Sequence, residues 1–119
     1  MKIEDYPIFS DYMDTLKEMS KDTSLDRPQY MTERTEEAVN FDLVKRAYTN
    51  NLGLSEETAS SCDSLAFLPA GSVFIEFKNG KVKPADVKTK IRDSLLIYGG
   101  ITGQSIADTR NSNGICSGI

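Results

Sequence analysis

Three residues of the sequence have the types and the spacing needed for metal-assisted hydrolysis: Asp63, Glu76 and Lys78. Glu76 and Lys78 are two positions apart in a run of β-type residues, and side chains alternate between the two faces of a strand. Both side chains are therefore expected to project from one face, which this strand reserves for polar groups. The residues expected on the opposite face, in the core, are Val73, Ile75 and Phe77.

Two carboxylates beside a lysine are suited to binding one divalent cation. Carboxylate oxygens are hard ligands and favour Mg²⁺ or Mn²⁺. We therefore predict that one of these two cations is the cofactor. Such a cation neutralises a phosphate and lowers the pKa of a bound water. Lys78 would orient that water, help to deprotonate it, or counter the charge that develops on the phosphate.

The register of a hairpin decides whether Asp63 joins Glu76. Residues 63–68 and 72–78 are β-type runs separated by Pro-Ala-Gly, which predicts an antiparallel hairpin. In such a hairpin, the sequence numbers of any two facing residues add up to the same value, which we call the index sum. A sum of 139 or 141 places Asp63 opposite Glu76 or Lys78, whereas a sum of 140 points its charge into the core. A register whose loop has an even number of residues is therefore expected to cost less free energy.

The composition excludes several other chemistries. The chain has 119 residues and no His, so it cannot contain a Ser-His-Asp triad, a Cys-His dyad or a His-ligated metal. Cys62 has no His to activate it, and we expect it to be a small buried residue. No apolar run approaches the ~20 residues of a membrane span, and no signal peptide is recognisable. We therefore expect a cytoplasmic protein without membrane contact.

The net charge of −4 conceals an asymmetry along the chain. Residues 1–62 carry 13 acidic and 7 basic side chains, whereas residues 63–119 carry 5 acidic and 7 basic ones. Basic side chains are concentrated in residues 78–92, which would attract a polyanion. The candidate nucleic-acid contacts are Lys81, Lys83, Lys88 and Arg92. A solvated helix face is the alternative interpretation of the same charges.

The elements that must position these residues form a single domain, residues 1–119, of the α+β class. Apolar spacing predicts helices over residues 8–19, 33–50 and 84–98, with a loop over residues 20–31 and a polar, flexible tail over residues 102–119. The domain thus divides into an N-terminal helix and loop (1–31), a core (32–101) and the tail. The stripe of the last helix that is expected to be buried consists of Val87, Ile91, Leu95 and Tyr98.

This order of an Asp, a short hairpin, Glu-x-Lys and a helix resembles the PD-(D/E)XK nuclease superfamily. The similarity spans residues 36–101, and its densest parts are Asp-Ser-Leu-Ala-Phe from Asp63 and Phe-Ile-Glu-Phe-Lys-Asn-Gly-Lys from Phe74. The segment Lys-Ile-Arg-Asp-Ser-Leu-Leu-Ile from Lys90 is also similar to uncharacterised bacterial proteins that share this core. The resemblance implies an αββα-type core, in which a three- or four-stranded sheet lies between two helices.

The resemblance also implies roles for individual residues. Asp63 and Glu76 would bind the catalytic metal, and Lys78 would assist the attacking water. A Glu on the helix before the sheet often completes the metal site in this superfamily, and either Glu36 or Glu37 is placed for that role.

Two departures from the superfamily pattern are visible. The Asp follows Cys62 where a Pro is usual, and no convincing strand follows the last helix. The sheet is therefore expected to be incomplete, or completed by a second copy of the chain. We accordingly predict a homo-oligomer, because an unpaired strand edge is open to another chain.

Two functions follow as hypotheses. The first is a divalent-metal-dependent nuclease that hydrolyses phosphodiester bonds in DNA or RNA. The second is a non-catalytic relative of the same superfamily, which uses the sheet to bind a partner in a bacterial system. The intact trio of Asp63, Glu76 and Lys78 favours the nuclease, whereas the acidic N-terminal half favours the binding protein.

Overall fold

The computed structural model describes residues 5–22, 29–68, 71–77, 84–104 and 113–118. The fold belongs to the α+β class, as predicted. Its helices are α1 (Pro7–Ser10), α2 (Leu16–Met19), α3 (Phe41–Asn51) and α4 (Pro84–Thr102). Its strands are β1 (Met13–Thr15), β2 (Lys21–Asp22), β3 (Gln29–Tyr30), β4 (Glu37–Asn40), β5 (Ser64–Leu68), β6 (Gly71–Phe77) and β7 (Asn113–Gly118).

Within the described residues, five strands form the main sheet in the order β1-β4-β5-β6-β7, and β2 and β3 form a separate two-stranded sheet. Neighbouring strands of the main sheet are antiparallel, except that β7 runs parallel to β6. No helix among the described residues is both long enough and apolar enough to span a membrane.

The prediction of one helix over residues 8–19 was wrong. A strand, β1, separates α1 from α2, because Met13 and Thr15 pair with Val39 and Glu37 of β4. The Thr15 side chain then caps α2 by accepting a hydrogen bond from the backbone N–H of Glu18, at 3.2 Å. Sheet pairing thus overrides a weak helical spacing, as tertiary context often does.

The helix predicted over residues 33–50 begins later than expected. Residues 37–40 form β4, with Ala38 and Val39 buried, and α3 starts at Phe41. Asn40 caps this helix, since its Oδ1 accepts a hydrogen bond from the N–H of Leu43. After the helix, Gly53 adopts the left-handed conformation that favours glycine, with φ +73°.

The central hairpin is confirmed, but its faces are exchanged relative to the prediction. Ser72, Phe74 and Glu76 are buried, whereas the odd-numbered residues of β6 are only half-buried. Phe74 is held by ring contacts with Phe41 and Tyr98, at centroid distances of 5.0 and 6.1 Å. The core face of β6 is therefore the face that carries Glu76. Val73, Ile75 and Phe77 are on the other side.

The last helix is longer than predicted and buries a different stripe. It continues through two glycines to Thr102, and its buried residues are Ser94, Ile97 and Tyr98. Val87, Ile91 and Leu95 are half-buried, so only Tyr98 of the predicted stripe is fully buried. Gly100 is needed because a Cβ at this position would overlap the Tyr48 hydroxyl.

The expectation that the sheet lacks a final strand was also wrong. Residues 113–118 form β7, which pairs with β6 from Ser72 to Phe77, so the polar tail contributes a strand. The sequence of β7 is rich in Gly and Ser, and its pairing depends on backbone hydrogen bonds that any residue except Pro can make. The edge of β6 is thus covered, which removes the reason given above for an oligomer.

Candidate functional site

Asp63 and Glu76 meet at the open end of the hairpin. Ser64 pairs with Ile75 and Leu68 with Gly71, so the index sum is 139 and the loop contains two residues. Continuing this register by one step places Asp63 opposite Glu76, which is one of the two pairings expected for a loop with an even number of residues. The Asp63 carboxylate is fixed in place, because its Oδ2 accepts a hydrogen bond from the backbone N–H of Phe77, at 2.8 Å.

The backbone on the other side of Asp63 is fixed as well. Its carbonyl oxygen accepts a hydrogen bond from the N–H of Phe41, the first residue of α3, at 3.1 Å. Asp63 is therefore held both by β6 and by the start of a helix. Its side chain is half-buried and contacts Glu76 from the position just before β5.

The Glu76 carboxyl is in an environment that favours its neutral form. The residue is 5% exposed, and this burial is the main cause that raises its pKa to about 7. The negative charge of Asp63 and a hydrogen bond between the two carboxyl groups raise the pKa further. Lys90 acts in the opposite direction through its hydrogen bond and its positive charge. The two acids and the lysine therefore form one electrostatic unit.

Lys90 is a residue of the site that sequence analysis missed. Its Nζ lies 2.9 Å from Oε1 of Glu76, and the Lys90 side chain is 23% exposed against 6% for Glu76. In the sequence, Lys90 is one of several basic residues between positions 78 and 92, and its residue type alone does not distinguish it from the others. Its spacing was the available signal: Lys90, Ser94 and Tyr98 are four residues apart, so they share one face of a helix.

That shared face of α4 makes a row of polar contacts with the sheet. Below the ion pair of Lys90, the Ser94 Oγ accepts a hydrogen bond from the N–H of Cys62 at 2.9 Å. One turn further, the Tyr98 hydroxyl forms a hydrogen bond with Ser72. The contacts of Ser94 and Tyr98 fix the position of Lys90 along the hairpin. They therefore fix which carboxylate Lys90 can reach.

Cys62 is a structural residue, as expected. Its side chain is buried, and this burial raises the pKa of its thiol, so little thiolate forms at neutral pH. Asp93, on the same helix as Lys90, also makes two polar contacts. Asp93 Oδ1 accepts from Nε of Arg92 at 3.1 Å, and its Oδ2 accepts from the N–H of Ser60 at 3.0 Å.

The structure does not bring Glu36 or Glu37 to the site, because a strand replaces the helix expected there. Glu36 is exposed and forms a two-pronged ion pair with Arg34, which lowers the pKa of the Glu36 carboxyl. Glu37 is an exposed residue at the start of β4. Continuing the pairing of Val39 with Leu65 places Glu37 level with Phe67, about 13 Å along the strand from Asp63.

The remaining predicted residues divide into two groups. Lys78, Lys81 and Lys83 lie outside the described residues. Lys88 and Arg92 are exposed on α4, on either side of Lys90 along the chain.

The donor set suits a divalent cation, although it is small. Among the described residues, no three acidic or cysteine side chains form a cluster that could hold a metal ion. Mg²⁺, however, is usually bound through one or two carboxylates and keeps several waters. Asp63 and Glu76 supply two carboxylates in direct contact, with hard oxygen donors only.

A groove of about 480 Å³ lies elsewhere on the surface, where α3 meets the turn that follows it. Its lining includes Tyr12, Leu43 and Leu54, together with an ion pair between Arg46 and Glu56 at 3.1 Å. None of its lining residues belongs to the acidic pair or to the helix that carries Lys90.

Comparisons of this chain with protein-family models, with curated proteins and with solved structures find no match. The geometry of the chain itself therefore carries the functional argument.

Proposed function

We propose that this protein is a divalent-metal-dependent nuclease of the PD-(D/E)XK type, which hydrolyses phosphodiester bonds in DNA or RNA. Asp63 and Glu76 hold Mg²⁺ or Mn²⁺ in this proposal, and Lys78 assists the attack of water. Glu36 and Glu37 have no part in it.

One observation supports the proposal above all others. The register of the hairpin places two carboxyl groups from neighbouring strands in contact, at a buried position where their mutual repulsion is costly. A pair of this kind raises the free energy of the folded chain unless a cation or a proton neutralises it. Such an arrangement is typical of sites whose purpose is to bind charge.

Each residue has a defined task in the proposed reaction. The bound cation supplies charge neutralisation of the phosphate and a more acidic water. Asp63 is held rigidly by the Phe77 N–H, so one ligand is preorganised before any cation binds. Lys78 is two residues after Glu76 in the sequence, and in this proposal its ammonium would contact the same phosphate.

The substrate would lie along the exposed side of α4 in this proposal. Lys88 and Arg92 are exposed there, beside the lysine that contacts Glu76. Lys81 and Lys83 precede this helix in the sequence and would add phosphate contacts. Contacts of this kind give binding that weakens strongly with salt. The cytoplasm is the compartment that we propose, because the buried Cys62 is a free thiol.

A non-catalytic binding protein is the second candidate, and one observation favours it. The ammonium of Lys90 lies 2.9 Å from Oε1 of Glu76 and compensates the negative charge of this carboxylate. A chain that binds no metal ion would require such a counter-charge. In that case the hairpin and α4 would be a scaffold for a partner. We also propose that the chain forms a homo-oligomer, and sedimentation velocity tests this directly.

Mn²⁺ titration calorimetry and cleavage assays test the nuclease proposal together. Wild type should bind Mn²⁺, and Asp63→Asn should abolish the binding while keeping the fold, because it removes one ligand charge. Lys78→Gln should retain Mn²⁺ binding but cleave plasmid DNA or single-stranded RNA about 10²-fold more slowly, as expected for the loss of one positioned charge.

Lys21→Gln is the matched control for the cleavage assay, because Lys21 is an exposed lysine on β2, remote in sequence from the site. It should cleave at the wild-type rate. Wild-type protein that binds no Mn²⁺ and cleaves neither substrate would refute the nuclease and favour the binding protein.

A further inference from the structure

Lys90 occupies the position at Glu76 that a cation would take. Its ammonium lies 2.9 Å from Oε1 of a carboxylate that is itself in contact with Asp63. The lysine comes from a different element, α4, and crosses to the sheet to make this contact. It supplies one positive charge to a site with two carboxylates.

A divalent cation at Glu76 and the ammonium of Lys90 would compete for the same carboxyl group. Lys90 Nζ lies 2.9 Å from Oε1 of Glu76, and two cations within a few ångströms of each other repel. A carboxylate also attracts a doubly charged cation more strongly than a singly charged ammonium at the same distance. Binding of a divalent cation at Glu76 therefore favours release of the lysine.

The side chain of Lys90 is able to leave. It is 23% exposed, whereas Glu76 is almost fully enclosed, so the ammonium can reach solvent by rotation about its own bonds. Lysine has a flexible four-carbon stem, and its ammonium gains strong hydration in water. Its neighbours on the exposed side of α4 are Lys88 and Arg92, so a released Lys90 joins a basic surface.

We propose that Lys90 is a displaceable counter-ion: its ammonium holds the place of the divalent cation at Glu76 and is released to the basic face of α4 when the cation binds. The inference rests on the proposed metal site at Asp63 and Glu76. Lys90 thereby links cation binding to the strength of the phosphate-binding surface, because the surface gains one positive charge only when the cation is present.

Mn²⁺ affinity is the first test. Lys90→Met removes the charge and keeps the length of the side chain, and Lys88→Met removes a charge from the same helix without touching Glu76. Calorimetry at pH 8.5 should show that Lys90→Met binds Mn²⁺ about tenfold more tightly than wild type, a factor that corresponds to about 1.4 kcal/mol. Lys88→Met should bind as wild type does.

Amine labelling of the wild-type protein is the second test, and it does not depend on the folding of a variant. Low-dose acetylation followed by mass spectrometry should label Lys90 several-fold more slowly than Lys88 without Mn²⁺. Saturating Mn²⁺ should bring the two rates close together, because release of Lys90 exposes its amine.

The outcomes separate this inference from the proposed function. Mn²⁺ binding by Lys90→Met that is equal to or weaker than wild-type binding would overturn the counter-ion role while the metal site stands. Labelling of Lys90 that does not respond to Mn²⁺ in a chain that binds it would do the same. Binding by Lys90→Met but not by wild type would support the inference. Absence of binding in every chain would overturn both the metal site and the counter-ion.

Discussion

Glu76 should make the stability of the protein depend on pH. Burial, assisted by Asp63, raises the pKa of its carboxyl from the ordinary 4.5 to about 7, in spite of the opposing charge of Lys90. The chain has no His, so no imidazole titrates in the same interval. Glu76→Gln removes the titrating group while keeping the size of the side chain and its capacity for hydrogen bonds.

The sign and the size of the effect follow from proton linkage. Between pH 4.5 and 7 the folded chain keeps a proton on Glu76 that the unfolded chain has released, so the free energy of unfolding falls as pH rises. The pKa difference corresponds to about 3 kcal/mol, most of which is lost between pH 5 and pH 8. Above pH 8 this contribution no longer changes.

Urea unfolding followed by circular dichroism, in EDTA at pH 5, 6, 7 and 8, measures the effect. The free energy of unfolding of wild type should fall by about 2–3 kcal/mol more than that of Glu76→Gln over this range. Glu37→Gln, at an exposed position of β4, is the matched control and should follow the wild-type profile. Parallel profiles for wild type and Glu76→Gln would show that the buried carboxyl does not retain its proton, and the electrostatic account of the site would be wrong.

Two further predictions concern the contacts that position α4. Ser94→Ala should lower the free energy of unfolding by about 1–3 kcal/mol in chemical denaturation, because the buried N–H of Cys62 loses its acceptor, whereas Ser55→Ala at an exposed turn should cost less. Gly100→Ala should lower the melting temperature, because its Cβ would overlap the Tyr48 hydroxyl, and Tyr48→Phe in the same chain should recover part of the loss. An unchanged melting temperature in Gly100→Ala would mean that α4 does not approach α3 so closely.

The contact between Asp63 and Glu76 could be predicted from the sequence because it depends on local rules. A two-residue loop and the alternation of side chains along a strand fix which residues face each other. The cost of burying a charge did not select this register, because the face that Asp63 shares with Glu76 is the buried one. The structure has the register with an even number of loop residues, with Leu68 opposite Gly71. The left-handed conformation of Gly53 was predictable for the same kind of reason.

The face of the hairpin that is buried could not be predicted in this way. Alternation shows that Phe74 and Ile75 point in opposite directions, but both are apolar, so the pattern alone does not choose between them. The choice is made by Phe41 and Tyr98, which come from two helices and enclose the Phe74 ring. The strand that contains Glu37 was missed for a related reason, since its pairing partners are distant in sequence.

Glu76 lies on the buried face of β6 and not on a solvent-facing side, and this changes the electrostatics of the proposed site. If Glu76 faced solvent, its charge would be screened by water, and a lysine beside it would contribute only about 0–1 kcal/mol. On the buried face the same carboxyl must be compensated, and α4 supplies the compensation through Lys90 at 2.9 Å. The contact of Ser94 with the Cys62 backbone sets the position of that helix, so the elements that close the core also choose the counter-charge. A cation that binds at Glu76 must therefore compete with the ammonium of Lys90 as well as with water.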